Sequence, residues 1–477
     1  MSIAICGGGA CGLAVLVSLI KEIQRFSCTC HIYIYEKHSN VGPGLAYSEE
    51  SSSALINMAA ETMGLYEEDP LHFIHWLSQH HPHRQFDRYP PRNVYGDYLL
   101  SMFAHAKTEA LSSRVHIEEV WREVVGIRLE DDRFAVYDEF DGKRVVDKVI
   151  LALGNFPMCT QSHLCQSPRY FSSPWPLQRL STIEKQSSVC ILGTRLSAID
   201  TVLYLKEQGH TGHIAMVSRG GRLPSVQCHK SKPFGRAYAL EALARNLEKL
   251  PHSVSLEKLM VELRSVVDEP DSRYCEDMLE EKNPLHRLEQ DIRDAEAGHL
   301  PWRSLADSAA PFFERYWQVL DLNDRERFMR EWVSVWYSII HAMPLVNAKR
   351  LWQLLSRGEV CVHQFTEIKV TQSSFAVSTA RLSFDADYLV EATGQEQNVS
   401  RIASPLLLSL ISANIMLACP LGGFSVHRET LESKATRGIY AIGSLTSGTH
   451  FYTNGIDRNV AHAARIARHI SSQINTL

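Results

Sequence analysis

The sequence predicts an α/β fold with two Rossmann-like units, the first discontinuous along the chain and the second carrying a helical insertion. Three observations predict it. A strand, a glycine-rich turn, a helix and a second strand open the chain between Ser2 and Glu36. A second unit of the same kind begins at Ser188, and two later apolar strands end on Gly154 and Gly394.

In the first unit, Ser2-Ile3-Ala4-Ile5-Cys6 reads as a short buried strand running into Gly7-Gly8-Gly9-Ala10-Cys11-Gly12 and an apolar helix from Leu13 to about Ile20. The spacing fits a dinucleotide turn: Gly7 for the tight bend, Gly9 for close approach of backbone to a pyrophosphate, Gly12 for packing of helix on strand. The next strand, His31 to Tyr35, ends on Glu36, where a carboxylate reaches both hydroxyls of a ribose. Glycine-rich turns that bind nothing are common, so the ordered set carries the dinucleotide reading, not the glycines alone.

The 477 residues are too many for one ordinary core and imply two to four domains. A hydrophobic share of 45% against 22% charged sets disordered and fibrous classes aside. Net charge is -5 with no sustained basic run, which points to small-molecule chemistry and away from nucleic acid and membrane surfaces. Eleven cysteines, irregularly spaced and without C-x-x-C or paired Cys/His ligands, argue against a disulfide framework and a zinc module. Reduced thiols and a start directly in the first strand, with no leader pattern, lead us to expect a cytoplasmic protein. The apolar run from Leu406 to Leu421 is interrupted by Ser409, Ser412 and Asn414 and is expected to be a buried helix.

Beyond Glu36, four blocks follow: Gly42-x-Gly44-x-Ala46-Tyr47; Leu55-Ile56-Asn57-Met58; Asp69-Pro70-Leu71-His72-Phe73-Ile74-His75-Trp76-Leu77; and Pro91-Arg92-x-x-Tyr95-Gly96-x-Tyr98-Leu99. Together they resemble the bacterial FAD/NAD(P)-binding proteins related to FAD-dependent urate hydroxylase and aspartate N-monooxygenase. The resemblance implies a flavoprotein in which FAD and a nicotinamide donor occupy separate domains. Residues 1–180 and 395–477 would form the FAD-binding domain, 181–235 and 351–394 the NAD(P)H-binding domain, and 236–350 the helical insertion. FAD contacts implied are Gly7, Gly9, Gly12, Glu36, Lys37, Asn57, Met58, Arg92, Gly154, Gly394, Gly443 and Gly455. In such proteins a strand ending in Ala-Thr-Gly returns the chain to the FAD sheet. Here Leu153 replaces the first Thr, the second copy at Ala392-Thr393-Gly394 is intact, and Ser444 stands where the family has an acid.

The second turn, Gly193-Thr194-Arg195-Leu196-Ser197, carries Arg195 where the fingerprint has its second glycine. Either the backbone stands farther from a pyrophosphate there, or the guanidinium itself contacts phosphate. Gly193, Ser197 and Arg219 are the expected nicotinamide-side contacts. A cation just after the strand suits a 2′-phosphate, which favours NADPH and leaves NADH open; Arg219 could equally be a solvated loop residue.

From Arg236 to about Arg350 apolar residues recur at helical spacing, first Leu240, Ala244 and Leu247, then Phe328, Trp332, Val335, Trp336 and Ile339, with charged stretches at 268–271 and 276–281 between them. The aromatic stripe reads as core before pocket.

Two nucleotide folds imply electron transfer from a diffusible hydride donor to a bound flavin. No C-x-x-C pair occurs, and Cys28-x-Cys30 reads as filler, so dioxygen is the leading acceptor and a small-molecule substrate the final one. Catalytic candidates are Asn57 and Asn454, as flavin-facing polar groups or turn caps, and His341, as a substrate contact or an interior histidine. His450 has the same two readings. Arg92 is read as an anchor for FAD phosphate or a substrate acid, or as a plain salt bridge. The His72, His75, His80, His81, His83 segment fits a helix face and no metal is expected. The function expected is a single-component monooxygenase hydroxylating a small polar metabolite at nitrogen or carbon. The alternatives are a flavin reductase without oxygen insertion and a flavin redox sensor. Oligomeric state and substrate are left open.

Overall fold

The computed structural model describes residues 1–25, 29–38, 40–48, 54–83, 86, 88–164, 167–228, 235–266, 283–298, 300–371, 374–379 and 382–474; Cys28 and the stretches 268–271 and 276–281 lie outside them. The chain divides into two compact units, one of residues 1–50, 58–156 and 395–477, the other of 51–57 and 157–394.

In the first unit, β1 (Ser2–Cys6), α1 (Ala10–Ile23) and β2 (Cys30–Tyr35) form the opening motif. The short α2 (Gly44–Tyr47), α3 (His72–His80) and α4 (Arg92–Leu111) lead to β3 (Val115–Val120). Leu13, Val15, Leu16, Leu19 and Ile20 are fully enclosed, so α1 is apolar because it is buried on nearly every side. An antiparallel ribbon follows, β4 (Val124–Glu130), β5 (Arg133–Asp138) and β6 (Lys143–Val146), and then β7 (Lys148–Leu151).

The second unit holds β8 (Tyr170–Phe171), β9 (Val189–Leu192), α5 (Leu196–Glu207) and β10 (Ile214–Ser218). Gly209, at φ +79°, ends the α5 turn as expected of a glycine past a helix C-terminus. Among the described residues eight helices follow: α6 (Ala237–Glu248), α7 (Leu256–Val266), α8 (Pro284–Ala297), α9 (Pro301–Ala309), α10 (Phe313–Val319), α11 (Leu322–Glu331), α12 (Val333–Ile340) and α13 (Leu345–Ser356). The unit closes with β11 (Val360–Val370), β12 (Phe375–Thr379), β13 (Ser383–Ala386) and β14 (Tyr388–Glu391). The chain then returns to the first unit with α14 (Pro405–Ser412), β15 (Ile439–Ala441), α15 (Ser447–His450) and α16 (Ile456–Ile474), which packs along α1.

The two units repeat one topology. The first has a five-stranded parallel sheet in the order β15-β7-β1-β2-β3, and the second has β8-β14-β9-β10-β11, extended by the antiparallel β12 and β13. In each, the strand order reverses beside the opening strand, β1 or β9, and there the glycine turn sits.

Three local expectations are corrected. The apolar strand leading to Gly154 is two strands, β6 in the ribbon and β7 in the parallel sheet, and the one leading to Gly394 is likewise β13 and β14. The breaks fall at Asp147 and Asp387, whose carboxylates accept from the amides of Ser2, the first residue of β1, and Ser188, just before β9. The Leu406–Leu421 helix stops at Ser412: Asn414 takes φ +54°, and the amides of Ile415 and Met416 both return to the Leu410 carbonyl, which closes the helix end. The aromatic stripe is divided between α11 and α12 at Trp332, which is 40% exposed, so it is not a continuous core seam, whereas Leu240, Ala244 and Leu247 are buried.

Candidate dinucleotide sites

At the first switch point, Gly7 (φ +102°) donates its amide to the Tyr35 carbonyl at 2.9 Å. A Cβ there would meet the Ala152 carbonyl oxygen at 2.2 Å, and one at Gly12 would meet the Gly7 oxygen at 2.0 Å. Both positions therefore need glycine for the protein's own packing. Gly9 differs. Its nearest neighbour for an added Cβ is Gly44 Cα at 3.7 Å, so what lies over Gly9 is open space at the uncapped N-terminus of α1. Free amides at such a terminus suit a pyrophosphate.

Glu36 is buried and held by two amides, Gly8 N on Oε2 and His38 N on Oε1, both at 2.9 Å. Each oxygen keeps acceptor capacity for a hydroxyl. Lys37 points elsewhere, its Nζ 3.4 Å from Glu123 on the surface.

The sequence blocks after Glu36 acquire physical reasons. Gly44 (φ +54°) lies against Gly9; Gly42 (φ +122°) passes Leu99; and Gly96 lets α4 cross the Tyr47 carbonyl, which a Cβ would approach to 2.2 Å. Arg92 opens α4 close enough to Tyr47 for its charge to act on the phenol, which burial nonetheless pushes up to about 12. The histidines of α3 serve packing and surface roles: His72 Nδ1 is 3.0 Å from Tyr98 OH, His80 stacks on Trp76 at 4.4 Å between centroids, and His75 is exposed beside Asp69.

On the far side of β1, Gly154 (φ +74°) has nothing within 4 Å of a hypothetical Cβ, and its carbonyl accepts from Ser444 Oγ at 2.5 Å. A Cβ on Gly443 (φ +72°) would meet Cys11 Sγ at 3.4 Å. A Cβ on Gly455, just before α16, would meet Asp457 Oδ1 at 2.4 Å and Met58 Cε at 3.6 Å, while Asn454 Oδ1 accepts from Gln395 Nε2 at 3.0 Å. His450 is an interior residue whose ring lies 4.4 Å from that of His462. Phe451, one residue on, has φ +61° and ψ -72°, a strained conformation for a residue with a bulky side chain.

At the second switch point the geometry repeats with different chemistry. Gly193 donates to the Val217 carbonyl at 2.7 Å, and a Cβ on it would meet the Ala392 oxygen at 2.4 Å. Arg195 occupies the place of Gly9 and caps α5 in the same extended conformation (φ -95°, ψ -167°, against -69°, -170°), so an arginine is accommodated without strain. Its guanidinium crosses to α12, where Nη2 donates to Ser334 Oγ at 2.8 Å and to the Ser334 carbonyl at 3.1 Å. In the register that pairs Tyr35 with Val217, Glu36 corresponds to Ser218. Ser218 Oγ is 3.0 Å from Thr194 Oγ1, and Arg219 follows, exposed. Ser197 lies half-buried in the first turn of α5, and Gly394 (φ +106°) again has open space around it.

Asn57 belongs to the second unit, where its carbonyl accepts from Gln227 Nε2 at 3.3 Å. His341 ends α12, its ring 4.8 Å from that of Tyr337; burial, then the charges of Arg195 and Arg303, push its imidazole down to about 3.

One feature escaped the sequence reading. Glu391, enclosed in β14, accepts from Thr160 N (2.8 Å), Thr160 Oγ1 (2.6 Å), Thr393 Oγ1 (2.9 Å) and the Tyr170 hydroxyl. Its only local signal was an acid inside an apolar return strand.

Residues 4–156 match the family model described as FAD-NAD(P)-binding. Among curated protein sequences no significant match was found. Among solved structures the chain is similar to the reduced form of the ornithine hydroxylase PvdA from Pseudomonas aeruginosa, at TM-score 0.60 and 14% identity over 99% of each chain. It is also similar to FAD-bound DfoA, the cadaverine monooxygenase of Erwinia amylovora, at TM-score 0.59 and 11% identity over 99% of this chain and 94% of that one. A third likeness is to the bacillithiol disulfide reductase Bdr (YpdA) of Bacillus cereus, at TM-score 0.50 and 12% identity over 99% of each chain. The α/β fold with parallel sheets expected from the sequence is thus that of flavoproteins with two dinucleotide-binding domains. No helix among the described residues is long and apolar enough to cross a membrane.

Proposed function

We propose that the chain is an FAD-dependent, NAD(P)H-consuming oxidoreductase, and specifically a single-component monooxygenase that hydroxylates a small polar metabolite at nitrogen or carbon. The observation that carries this reading is the contrast between two switch points of one topology. The first has open backbone at Gly9 and an anchored carboxylate at Glu36; the second has Ser218 and Arg219 and no acid. A carboxylate suits the ribose hydroxyls of a tightly held FAD, and a serine with an arginine suits the 2′-phosphate of NADPH.

FAD would be held at Gly7, Gly9, Gly12, Glu36, Gly154, Gly443 and Gly455, with Arg92 and Met58 beside it, and NADPH at Gly193, Ser197 and Arg219. Bound there, the flavin supplies two-electron chemistry between the nicotinamide and dioxygen. The chain's part is to orient the flavin through Glu36 and the α1 amides, to place the α16 N-terminus towards its electron-rich end, and to offer Asn454 as a hydrogen-bonding group. His341, neutral at physiological pH, can hydrogen-bond a substrate without contributing charge.

A second reading, a flavin reductase without oxygen insertion, would draw on the Cys11 thiol inside the first turn. Burial pushes that thiol up to about 12, which disfavours a thiolate, and no C-x-x-C partner exists in the chain. The deciding experiment is anaerobic reduction of the purified flavoprotein by NADPH followed by admission of oxygen and candidate amines or amino acids. Hydroxylated product in step with NADPH consumption is expected. NADPH oxidation coupled to a disulfide acceptor, with no oxygenated product, would replace the monooxygenase by the reductase.

A further inference from the structure

Arg195 is held by groups that poorly satisfy a cation. Its guanidinium donates to the Ser334 carbonyl and hydroxyl, both neutral, and lies 5.6 Å over the Tyr337 ring. Burial disfavours the charge of Arg195, and the charge of Arg219 adds to this while Tyr337 opposes it. A guanidinium at the N-cap of the twelve-residue α5, with the charge of Arg219 acting on it, is an electrostatic arrangement that an added phosphate completes.

We propose that Arg195 is a phosphate-responsive latch: without nucleotide it ties α12 to the second turn through Ser334, and with NADPH it rotates to the pyrophosphate and releases α12. This rests on the second unit being the NADPH site. The exchange trades two hydrogen bonds from a guanidinium to neutral oxygens for an ion pair with a phosphate, whose geometry the planar guanidinium fork matches. Because α12 carries Trp336 and Tyr337 and ends at His341, the release makes the aromatic face of the insertion mobile only when the reductant is bound. The departure from glycine is then a coupling device between nucleotide and insertion.

The test is hydrogen–deuterium exchange on the full-length flavoprotein, with and without saturating NADPH, alongside calorimetric NADPH binding. Amides in 333–340 are expected to exchange faster with NADPH. In Arg195→Gly they should exchange at that raised rate without nucleotide. Ser334→Ala, which leaves the guanidinium intact but weakens its resting partner, should tighten NADPH about five-fold. NADPH that binds without raising exchange in 333–340, or a Ser334→Ala variant that binds it no more tightly, overturns the latch alone. No NADPH binding at all overturns both the latch and the nucleotide assignment beneath it.

Discussion

Ser2 and Asp147 clasp the first unit where its opening strand begins: the Ser2 amide and hydroxyl both donate to Asp147 Oδ2, at 2.7 and 3.0 Å, and the Asp147 amide returns to the Ser2 carbonyl at 2.9 Å. Ser188 and Asp387 repeat the arrangement in the second unit at 2.8, 2.7 and 3.0 Å. The clasp sits where the return strand leaves the antiparallel ribbon and joins the parallel sheet, so it sets the register of β7 or β14 against β1 or β9. At Asp387 the Ser188 hydroxyl and amide draw the carboxyl below its usual range. At Asp147 burial pulls upward, but the bonds from Ser2 and the charge of Arg133 outweigh it. A depressed folded pKa means stability that is fully present above the unfolded value near 3.8 and is lost as pH falls through the folded one. Asp387→Ala should therefore cost about 1–3 kcal/mol at pH 7, and the gap between variant and wild type in urea unfolding should close below about pH 4. A gap that persists undiminished into acid would show that the carboxylate's charge is not what stabilises.

Gly9 and Gly12 make opposite predictions from one turn. Gly12→Ala drives a Cβ to 2.0 Å from a backbone oxygen and should destabilise the apoprotein by about 1–3 kcal/mol, with loss of the flavin as a consequence. Gly9→Ala meets nothing closer than 3.7 Å, so the apoprotein should melt within about 0.5 kcal/mol of wild type while retaining less FAD after gel filtration. Equal flavin retention in Gly9→Ala and wild type would remove the pyrophosphate from that turn.

Arg219 tests the choice of reductant. Arg219→Glu should weaken NADPH by about ten-fold or more, the scale of one charge-assisted bond, while altering NADH by much less. Parallel titrations of the two nucleotides read the ratio directly. If both weaken equally, Arg219 acts on the shared pyrophosphate and the 2′-phosphate is recognised elsewhere.

Glu391 is a different kind of buried acid from Glu36. Four donors, from Thr160, Thr393 and Tyr170, converge on it in a closed environment, which makes it a structural hub of the second unit. Glu391→Ala leaves those donors without an acceptor and should cost about 3 kcal/mol or more, seen as a lower unfolding midpoint. Glu391→Gln, which keeps two heavy atoms in place, should recover part of the loss. Unchanged stability in the alanine variant would mean that water replaces the carboxylate.

The sequence made the two turns and Glu36 legible because their determinants are local, within the reach of one strand-turn-helix unit. The clasp is not legible: the sequence alone gives each return strand as one continuous apolar run, through Asp147 and Asp387. Glu391 was missed as a hub because its partners Thr160 and Tyr170 lie 231 and 221 residues away. Arg195 was recognised as a departure, yet its partner Ser334 is 139 residues on, in an insertion whose helical period said nothing of which face met the turn. The Phe328 to Ile339 stripe misled for a related reason: helical spacing was correct on each side of Trp332, but spacing does not register a break between two helices. What a residue does within three or four positions is written locally; what closes a network across a sheet depends on topology.

His341 yields a prediction whose sign is fixed by burial. Its imidazole, held down to about 3 by enclosure and by the charges of Arg195 and Arg303, stays neutral throughout the physiological range. The pH profile of kcat/KM should therefore show no ionisation from His341 between about pH 5 and 8. In the unfolded chain the same group binds a proton near 6.5, so the folded state loses relative stability as pH drops from 6.5 towards 3. His341→Gln should flatten that part of the stability curve, and comparison of denaturant midpoints at pH 7 and about pH 5 measures it. An imidazole resonance titrating near its ordinary value in the folded protein would mean that the aromatic face around Tyr337 admits water freely, and the neutral hydrogen-bonding role assigned to His341 would fall with it.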